Sequence, residues 1–141
     1  MYYFFFYSFA VFFAAFQLNI VSIAGISDLP ELIENDNFYE GSKSLLRDTI
    51  GDVKDKEELR MLKSNSAVNF ATRYQAPLLM LHGENDYVVS RQQSLAMRKA
   101  MKRAKRKVTY VELEDGTHYL DNEENRKIAF KEMVDFLSKH L

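Results

Sequence analysis

One segment constrains the fold more than any other: a short apolar run, Pro77–His82, which is followed by Gly83. Consecutive apolar positions predict a strand that is buried on both faces. This pattern is typical of parallel strands that lie between two layers of helices, because antiparallel strands usually alternate apolar and polar residues. Asn19–Gly25 and Val108–Leu113 are also rich in β-branched residues. The sequence therefore predicts three strands of a parallel sheet.

The segments between these strands have the periodicity and the end signals of helices. Ser27 or Asp28 can cap a helix whose first turn contains Pro30 and Glu31. Asn35–Tyr39 is predicted to be a loop. Further helices are predicted over Ser42–Thr49, Asp55–Lys63, Ala67–Arg73, Ser90–Lys105 and from Asn122 to the C-terminus. Alternating strands and helices predict an α/β fold, in which a parallel sheet has helices on both faces.

Two of the helices have an apolar face that predicts how they pack against the sheet. In the helix that begins at Ser90, the predicted buried residues are Met97, Ala100, Met101 and Ala104. In the last helix, the predicted apolar stripe consists of Phe130, Met133, Val134, Leu137 and Leu141.

The first 18 residues differ from the rest of the chain, because the first 16 are almost wholly apolar. We interpret residues 1–18 as an apolar helix, either buried or inserted in a membrane, and residues 19–141 as the folded region. A signal peptide would need a positively charged start, and no Lys or Arg precedes the run. A membrane helix needs about 20 apolar residues, a length that requires Gln17, Asn19 and Ser22. Membrane association and a cytoplasmic location both stay open.

The composition excludes several classes of protein and site. The chain has 141 residues, which fits one domain, and its formal charge of -1 does not favour a nucleic-acid partner. It has no cysteine, so disulfide bonds, thiolate metal sites and a cysteine nucleophile are excluded. We find no ligand spacing typical of zinc or calcium and no phosphate-binding loop, and we therefore predict no cofactor.

Two loops follow adjacent predicted strands, and each contains a residue that is common in acid–base catalysis. Asp86 follows the strand that ends at His82, and His118 follows the strand that ends at Leu113. The carboxyl ends of parallel strands meet at one edge of the sheet, where α/β proteins place their active sites. A carboxylate beside an imidazole fixes its tautomer and stabilises its charged form. We therefore predict that Asp86 and His118 are catalytic and lie within hydrogen-bond distance of each other.

Other polar residues have simpler interpretations. His82 is predicted to be structural, and His140 favours the negative end of a helix dipole. A basic cluster on the helix from Ser90 to Lys105 is best interpreted as a solvated helix face, with an anion or lipid site as the alternative. The cluster consists of Arg98, Lys99, Lys102, Arg103, Lys105 and Arg106.

The residues from about Val21 to the C-terminus resemble the end of the catalytic domain of the prolyl oligopeptidase family of serine peptidases. The resemblance is greatest to its dipeptidyl and acylaminoacyl peptidase branch. The matching stretches are Val21–Leu29, Ala76–Gly83 with Asp86 and Val89, Gln93–Ser94, and Val111–His118. The resemblance implies a partial α/β-hydrolase fold that lacks the N-terminal half of the domain, a peptide substrate, and roles for Asp86 as the triad acid and His118 as the triad base.

The chain also departs from the pattern of this family. Ser90 stands where the family usually has Pro. Ala104–Arg106 stands where the helix that begins at Ser90 often ends in Gly in the family. The family's nucleophile elbow, Gly-x-Ser-x-Gly-Gly, is absent. Ser8 is the serine nearest to the expected position, but Phe6–Ala10 contains no Gly, which the strained turn requires. We therefore interpret Ser8 as a helix or membrane residue and expect the chain alone to be inactive.

Several alternatives stay open at this point. The chain could be a non-catalytic truncated copy, a small membrane-anchored protein, or a carboxylesterase that uses the same machinery. We also expect the isolated chain to self-associate, because the strand at Ile20–Ala24 would present an open, apolar edge.

Overall fold

The computed structural model describes residues 19–35 and 40–140. The predicted helix over residues 1–18, including Ser8, lies outside the described residues, and so does most of the predicted loop Asn35–Tyr39. Within the described ranges, no helix combines the length and the apolar character that crossing a bilayer requires.

Three parallel strands form the sheet, as the sequence predicts. They are β1 (Ile20–Ile23), β2 (Leu78–Gly83) and β3 (Val108–Leu113), and β2 lies between the other two. Every residue of β2 is buried, because strands flank it on both sides and helices cover both of its faces. The apolar run that predicted a doubly covered strand is therefore the central strand of the described sheet.

Five α-helices and one 3₁₀ helix connect and follow the strands in the described ranges. They are α1 (Leu29–Glu34), α2 (Glu40–Thr49), α3 (Lys56–Asn65), the 3₁₀ helix (Ala67–Arg73), α4 (Gln92–Arg103) and α5 (Glu123–His140). Asp28 caps α1 and Asp55 caps α3 through their side chains. Because a cap lies just outside its helix, α1 and α3 begin one residue after these aspartates. Most other bounds differ from the prediction by one or two residues, as is usual for helix ends.

Each face of the sheet packs against its own group of helices. On one face, Leu78 and Met80 contact Met97 and Met101 of α4 and Ala71 of the 3₁₀ helix. The predicted Ala100 and Ala104 pack against this same cluster, so the predicted face of α4 is confirmed. On the other face, the cluster consists of Leu79, Leu81, Leu113, Ala129 and Phe136. The alternation of facing along β2 thus divides the core into two layers.

The predicted stripe of α5 is partly wrong. Met133 and Leu137 pack against the core as predicted, but Phe130 and Val134 are 62% and 60% exposed. Leu141 lies outside the described residues. The buried face includes Asn125, Ala129 and Phe136, whereas Phe130 and Val134 lie about 120° and about 160° from its centre around the helix axis. Phe130 and Val134 therefore widen the apolar stripe beyond the face that contacts the sheet.

Two departures from the family pattern have a visible local outcome. Ser90, in the place of the usual Pro, accepts a hydrogen bond from the Gln92 N–H at the start of α4. Lys105, near the end of that helix, adopts a left-handed backbone with φ of 56°. Gly is the residue best suited to such a position. Lys105 adopts the same turn, but its side chain makes this backbone conformation less favourable.

A buried glutamine joins α4 to the loop after β1. The Gln93 side-chain oxygen accepts hydrogen bonds from the N–H groups of Ser27 and Asp28, both at 2.7 Å. Its side-chain nitrogen donates to the Asp28 carbonyl at 2.8 Å. Ser27 therefore contributes to this contact rather than to the cap of α1. The loop after β1 is consequently fixed beside the loop that follows β2.

Candidate active site

The loops that follow β2 and β3 touch each other through two glycines. A Cβ atom at Gly83 would lie 2.3 Å from the Gly116 carbonyl oxygen, which no side chain could tolerate. The approach is fixed by hydrogen bonds from the Glu84 N–H to Leu113 and from the Asn85 N–H to the Gly116 carbonyl. Glycine at position 83 is therefore a requirement of the contact that brings the two loops together.

Asp86 lies in the first of these loops, and its side chain is fully buried. One carboxylate oxygen, Oδ1, accepts hydrogen bonds from the N–H groups of Val88 at 2.9 Å and Val89 at 2.8 Å. These two backbone donors orient the carboxylate. The other oxygen, Oδ2, is consequently directed toward the second loop.

His118 occupies the second loop and meets that oxygen. Its Nδ1 lies 2.9 Å from Asp86 Oδ2, and its side chain is 27% exposed. Within the described part of the chain, no group hydrogen-bonds to Nε2 of this ring. The predicted contact between the two side chains is therefore confirmed, although their catalytic roles stay a prediction. The arrangement favours the tautomer that carries the proton on Nδ1 and leaves Nε2 as a base.

The turn around His118 is held from the side of α5. Asn125 donates a hydrogen bond to the Glu114 carbonyl at 3.0 Å, before the histidine. Arg126 donates to the carbonyls of Leu120 and Asp121 at 2.9 and 2.8 Å, after it. Leu120 has a φ of 50°, a conformation that is strained for a residue with a side chain. The start of α5 thus determines where His118 lies.

A hydrogen bond within the turn tightens its exposed part. The Thr117 hydroxyl donates to Asp121 Oδ1 at 2.7 Å. This hydrogen bond is the main reason that the pKa of Asp121 lies below its usual range, with smaller contributions from backbone donors and from Arg126. Asp121 is fully exposed, so the bond shapes the turn without burying a charge.

His82 has a more specific environment than the sequence indicated. Its ring is fully buried, with Nδ1 2.7 Å from the Ser94 hydroxyl and Nε2 2.9 Å from the Val89 carbonyl. Nε2 also lies 3.3 Å from Asp86 Oδ2. The prediction of a structural role agrees with the burial. Residue spacing could not predict that His82 contacts the Asp86 loop or that the Ser94 hydroxyl hydrogen-bonds to its ring.

The predicted basic cluster is mostly a set of exposed or half-exposed side chains. Arg98 lies over the Tyr110 ring, and Arg106 donates a hydrogen bond to the Thr72 carbonyl at 2.5 Å. The phenol of Tyr110 donates to Glu112, and burial together with this acceptor raises the pKa of Tyr110. Two of the six basic residues thus have partners within the fold. None of the six is buried, which agrees with the interpretation of a solvated helix face.

A cavity of about 590 Å³ opens beside the loop after β1, close to where the Asp86 loop joins α4. Its lining includes Asp28, Glu31, Glu34 and Ser90. Burial raises the pKa of Glu31 above its usual value, the hydrogen bond from Gln93 opposes this shift, and the Asp28 charge adds to it. The lining carboxylates disfavour an anionic occupant. Among the residues that the structure describes, no cluster of three or more His, Asp or Glu side chains is suited to a metal ion.

A parallel sheet between helix layers, with an Asp–His pair on loops after neighbouring strands, defines the C-terminal part of an α/β-hydrolase domain. Residues 20–141 match the prolyl oligopeptidase family. The chain belongs to this family of serine peptidases. No curated protein sequence matches the chain significantly.

Solved structures of related peptidases have the same fold. A puromycin-hydrolyzing peptidase of Mycobacterium tuberculosis is 26% identical over 86% of this chain, with a TM-score of 0.75. An acylaminoacyl peptidase of Pyrococcus horikoshii is 23% identical over 86%, with a TM-score of 0.74. Dipeptidyl peptidase 4 of Porphyromonas gingivalis is 21% identical over 86%, with a TM-score of 0.71. The matched regions cover 18%, 20% and 16% of those proteins, so this chain spans about a fifth of their length.

Proposed function

We propose that Asp86 and His118 are the acid and the base of a Ser-Asp-His triad that hydrolyses peptide bonds. The observation that supports this proposal is the 2.9 Å contact between His118 Nδ1 and Asp86 Oδ2. The Asp86 side chain is buried and its Oδ1 accepts two backbone hydrogen bonds, whereas the His118 side chain is partly exposed. A triad requires this division, because the acid only orients the base, while the base has to reach the substrate.

The chemistry follows from the free nitrogen of the ring. His118 Nε2 takes the proton of a serine hydroxyl while the serine oxygen attacks the peptide carbonyl. The imidazolium, stabilised by the Asp86 carboxylate, then gives this proton to the leaving amine, and an acyl-enzyme results. A water molecule, deprotonated by the same ring nitrogen, then attacks the acyl-enzyme, and the acid product and the serine hydroxyl are released. The nucleophile is supplied from outside the described residues.

The substrate class rests on the relatives. Their names refer to puromycin-hydrolyzing, acylaminoacyl and dipeptidyl peptidases. By analogy with these relatives, we propose that the substrates of this site are short peptides that are cleaved near the amino end. A carboxylesterase uses the same triad, and the assay below distinguishes the two by the bond that is cleaved.

The first experiment uses the 141-residue chain with a fluorophosphonate probe, which labels activated serines. We expect no labelling, because Ser8 has none of the flanking glycines that present a nucleophile at a strained turn. Labelling that disappears in Ser8→Ala would contradict this expectation and identify Ser8 as the nucleophile.

The second experiment uses the natural protein that contains these residues, produced from its complete coding region. Aminoacyl and dipeptidyl anilides report peptidase activity, and matched acyl esters report esterase activity. We expect Asp86→Asn to lower kcat by roughly 10⁴-fold, because an amide in this place favours the wrong tautomer of the base. His118→Gln should be equally severe. The matched controls Asp135→Asn and His140→Gln, both on α5, should retain wild-type rates; activity that survives Asp86→Asn and His118→Gln would overturn the proposal.

A further inference from the structure

His82 is held at both ring nitrogens in a site without solvent. Its side chain is fully buried, Nδ1 lies 2.7 Å from the Ser94 hydroxyl, and Nε2 lies 2.9 Å from the Val89 carbonyl. Ser94 is itself only 1% exposed. A rotation of the ring would break both hydrogen bonds, and burial makes unpaired polar groups costly.

These partners also determine where the proton of the ring lies. The Val89 carbonyl can only accept a hydrogen bond, so Nε2 of His82 carries the proton. In the neutral ring, Nδ1 then accepts the proton of the Ser94 hydroxyl, which can donate as well as accept. The tautomer of His82 is therefore opposite to the one that Asp86 favours in His118.

The protonated nitrogen of His82 faces the oxygen that orients His118. Asp86 Oδ2 lies 3.3 Å from His82 Nε2 and 2.9 Å from His118 Nδ1. The His82 N–H is directed at the Val89 carbonyl, and its positive end therefore also lies beside the carboxylate. Val89 completes the connection, because its own N–H donates to Asp86 Oδ1 at 2.8 Å.

We propose that His82 is a positioning residue for the acid–base pair, which holds the Asp86 carboxylate toward His118 through Val89 and through its own Nε2–H. This inference rests on the proposed function, since it assigns a role in the same site. If His82 only filled the core, hydrogen bonds to Ser94 and Val89 would be enough to satisfy both ring nitrogens. The third contact, to Asp86 Oδ2, makes the orientation of His118 depend on His82.

Two amide variants separate positioning from packing. In His82→Gln, the side-chain nitrogen can reach the place of Nε2 and donate to the Val89 carbonyl. In His82→Asn, the shorter side chain reaches only the place of Nδ1. Both replace the ring by an uncharged amide, so they form a matched pair.

The measurement is histidine ¹⁵N NMR of the 141-residue chain, which reports the tautomer of His118 and the solvent exchange of its Nδ1 proton. We expect this proton to exchange about tenfold faster in His82→Asn than in wild type, the scale set by one hydrogen bond to a charged group. His82→Gln should restore slow exchange. Equal exchange in wild type and His82→Asn, or no rescue by His82→Gln, would overturn the proposal.

The wild-type spectrum gives a test that requires no variant to fold. His82 should carry its proton on Nε2, and a proton on Nδ1 would overturn the proposal. Asp86→Asn separates this inference from the proposed function. If Asp86→Asn changes the His118 tautomer but His82→Asn has no effect, only the inference about His82 fails. If Asp86→Asn also has no effect, the acid–base pair itself fails.

Discussion

The loop that contains Asp86 and the loop that contains His118 meet at one edge of the sheet, but they are held in different ways. The Asp86 side chain is fully buried and accepts two backbone hydrogen bonds, and buried His82 lies against it. His118 is partly exposed, and its turn depends on Asn125 and Arg126 of α5. Asp86 is thus fixed by the core, whereas His118 is fixed by the start of a helix at the surface.

This contrast agrees with the catalytic roles that we propose for the two groups. A group that only orients its neighbour gains from burial, because its hydrogen bonds are then protected from competing water. A base that exchanges protons with a nucleophile and a leaving group has to remain accessible. The difference predicts that changes in the acid loop affect stability, whereas changes in the base loop mainly affect geometry.

The largest effect is expected where the two loops touch. Gly83→Ala places a methyl group 2.3 Å from the Gly116 carbonyl oxygen, so the loops have to separate. We expect a loss of about 3 kcal/mol in the free energy of unfolding, at the upper end for overpacking, measured by urea denaturation. Gly41→Ala is the control, since nothing lies within 4 Å of its new methyl group and alanine favours α2. Equal stability of the two variants would show that the loops are not in contact.

The next effect compares the acid with the base directly. Asp86→Ala leaves the N–H groups of Val88 and Val89 without their acceptor, which should cost about 2 kcal/mol. His118→Ala removes one partly exposed partner and should cost less than about 1 kcal/mol. Thermal denaturation of both variants gives the comparison. A larger loss of stability in His118→Ala than in Asp86→Ala would contradict the claim that Asp86 contributes more to stability than His118 does.

A smaller effect is expected at the start of α5. Asn125→Ala removes the hydrogen bond to the Glu114 carbonyl and should cost about 1 kcal/mol. In the natural protein, this change should lower kcat more than its effect on stability suggests, because His118 moves with the turn. Glu124→Ala, on the exposed side of the helix, is the control and should change stability by less than about 0.5 kcal/mol. If both variants behave alike, α5 does not position the base.

The smallest effect concerns the pKa of Asp121. The Thr117 hydroxyl lowers this pKa in the folded chain, so the contribution to stability is present at neutral pH and is lost as the pH falls through the folded pKa. Thr117→Val should raise the pKa of Asp121 toward its usual value, as measured by carboxyl ¹³C NMR. The stabilities of the two proteins should converge at low pH, where Asp121 is protonated in both. An unchanged pKa would show that the Thr117 hydroxyl does not stabilise the Asp121 carboxylate.

The sequence predicted what depends on local pattern and order along the chain. The apolar run at Pro77–His82 predicted the central strand, and the order of strands placed Asp86 and His118 at one edge. The sequence placed Met133 and Leu137 correctly on the buried face of α5 but wrongly added Phe130 and Val134, because these two are as apolar as the residues that pack. It also gave no sign that His82 contacts Asp86, since a strand end and a loop meet there only after the backbone folds.

The most direct test of the account is the position of the proton on His118. In ¹⁵N spectra of the wild-type chain at a pH where the ring is neutral, we expect the proton on Nδ1 and a free Nε2, because Asp86 Oδ2 accepts from Nδ1. In Asp86→Asn, the N–H groups of Val88 and Val89 should hold the amide oxygen and turn its NH₂ group toward His118. The proton should then move to Nε2. A wild-type ring with its proton on Nε2, or the same tautomer in both proteins, would contradict the claim that Asp86 orients the base.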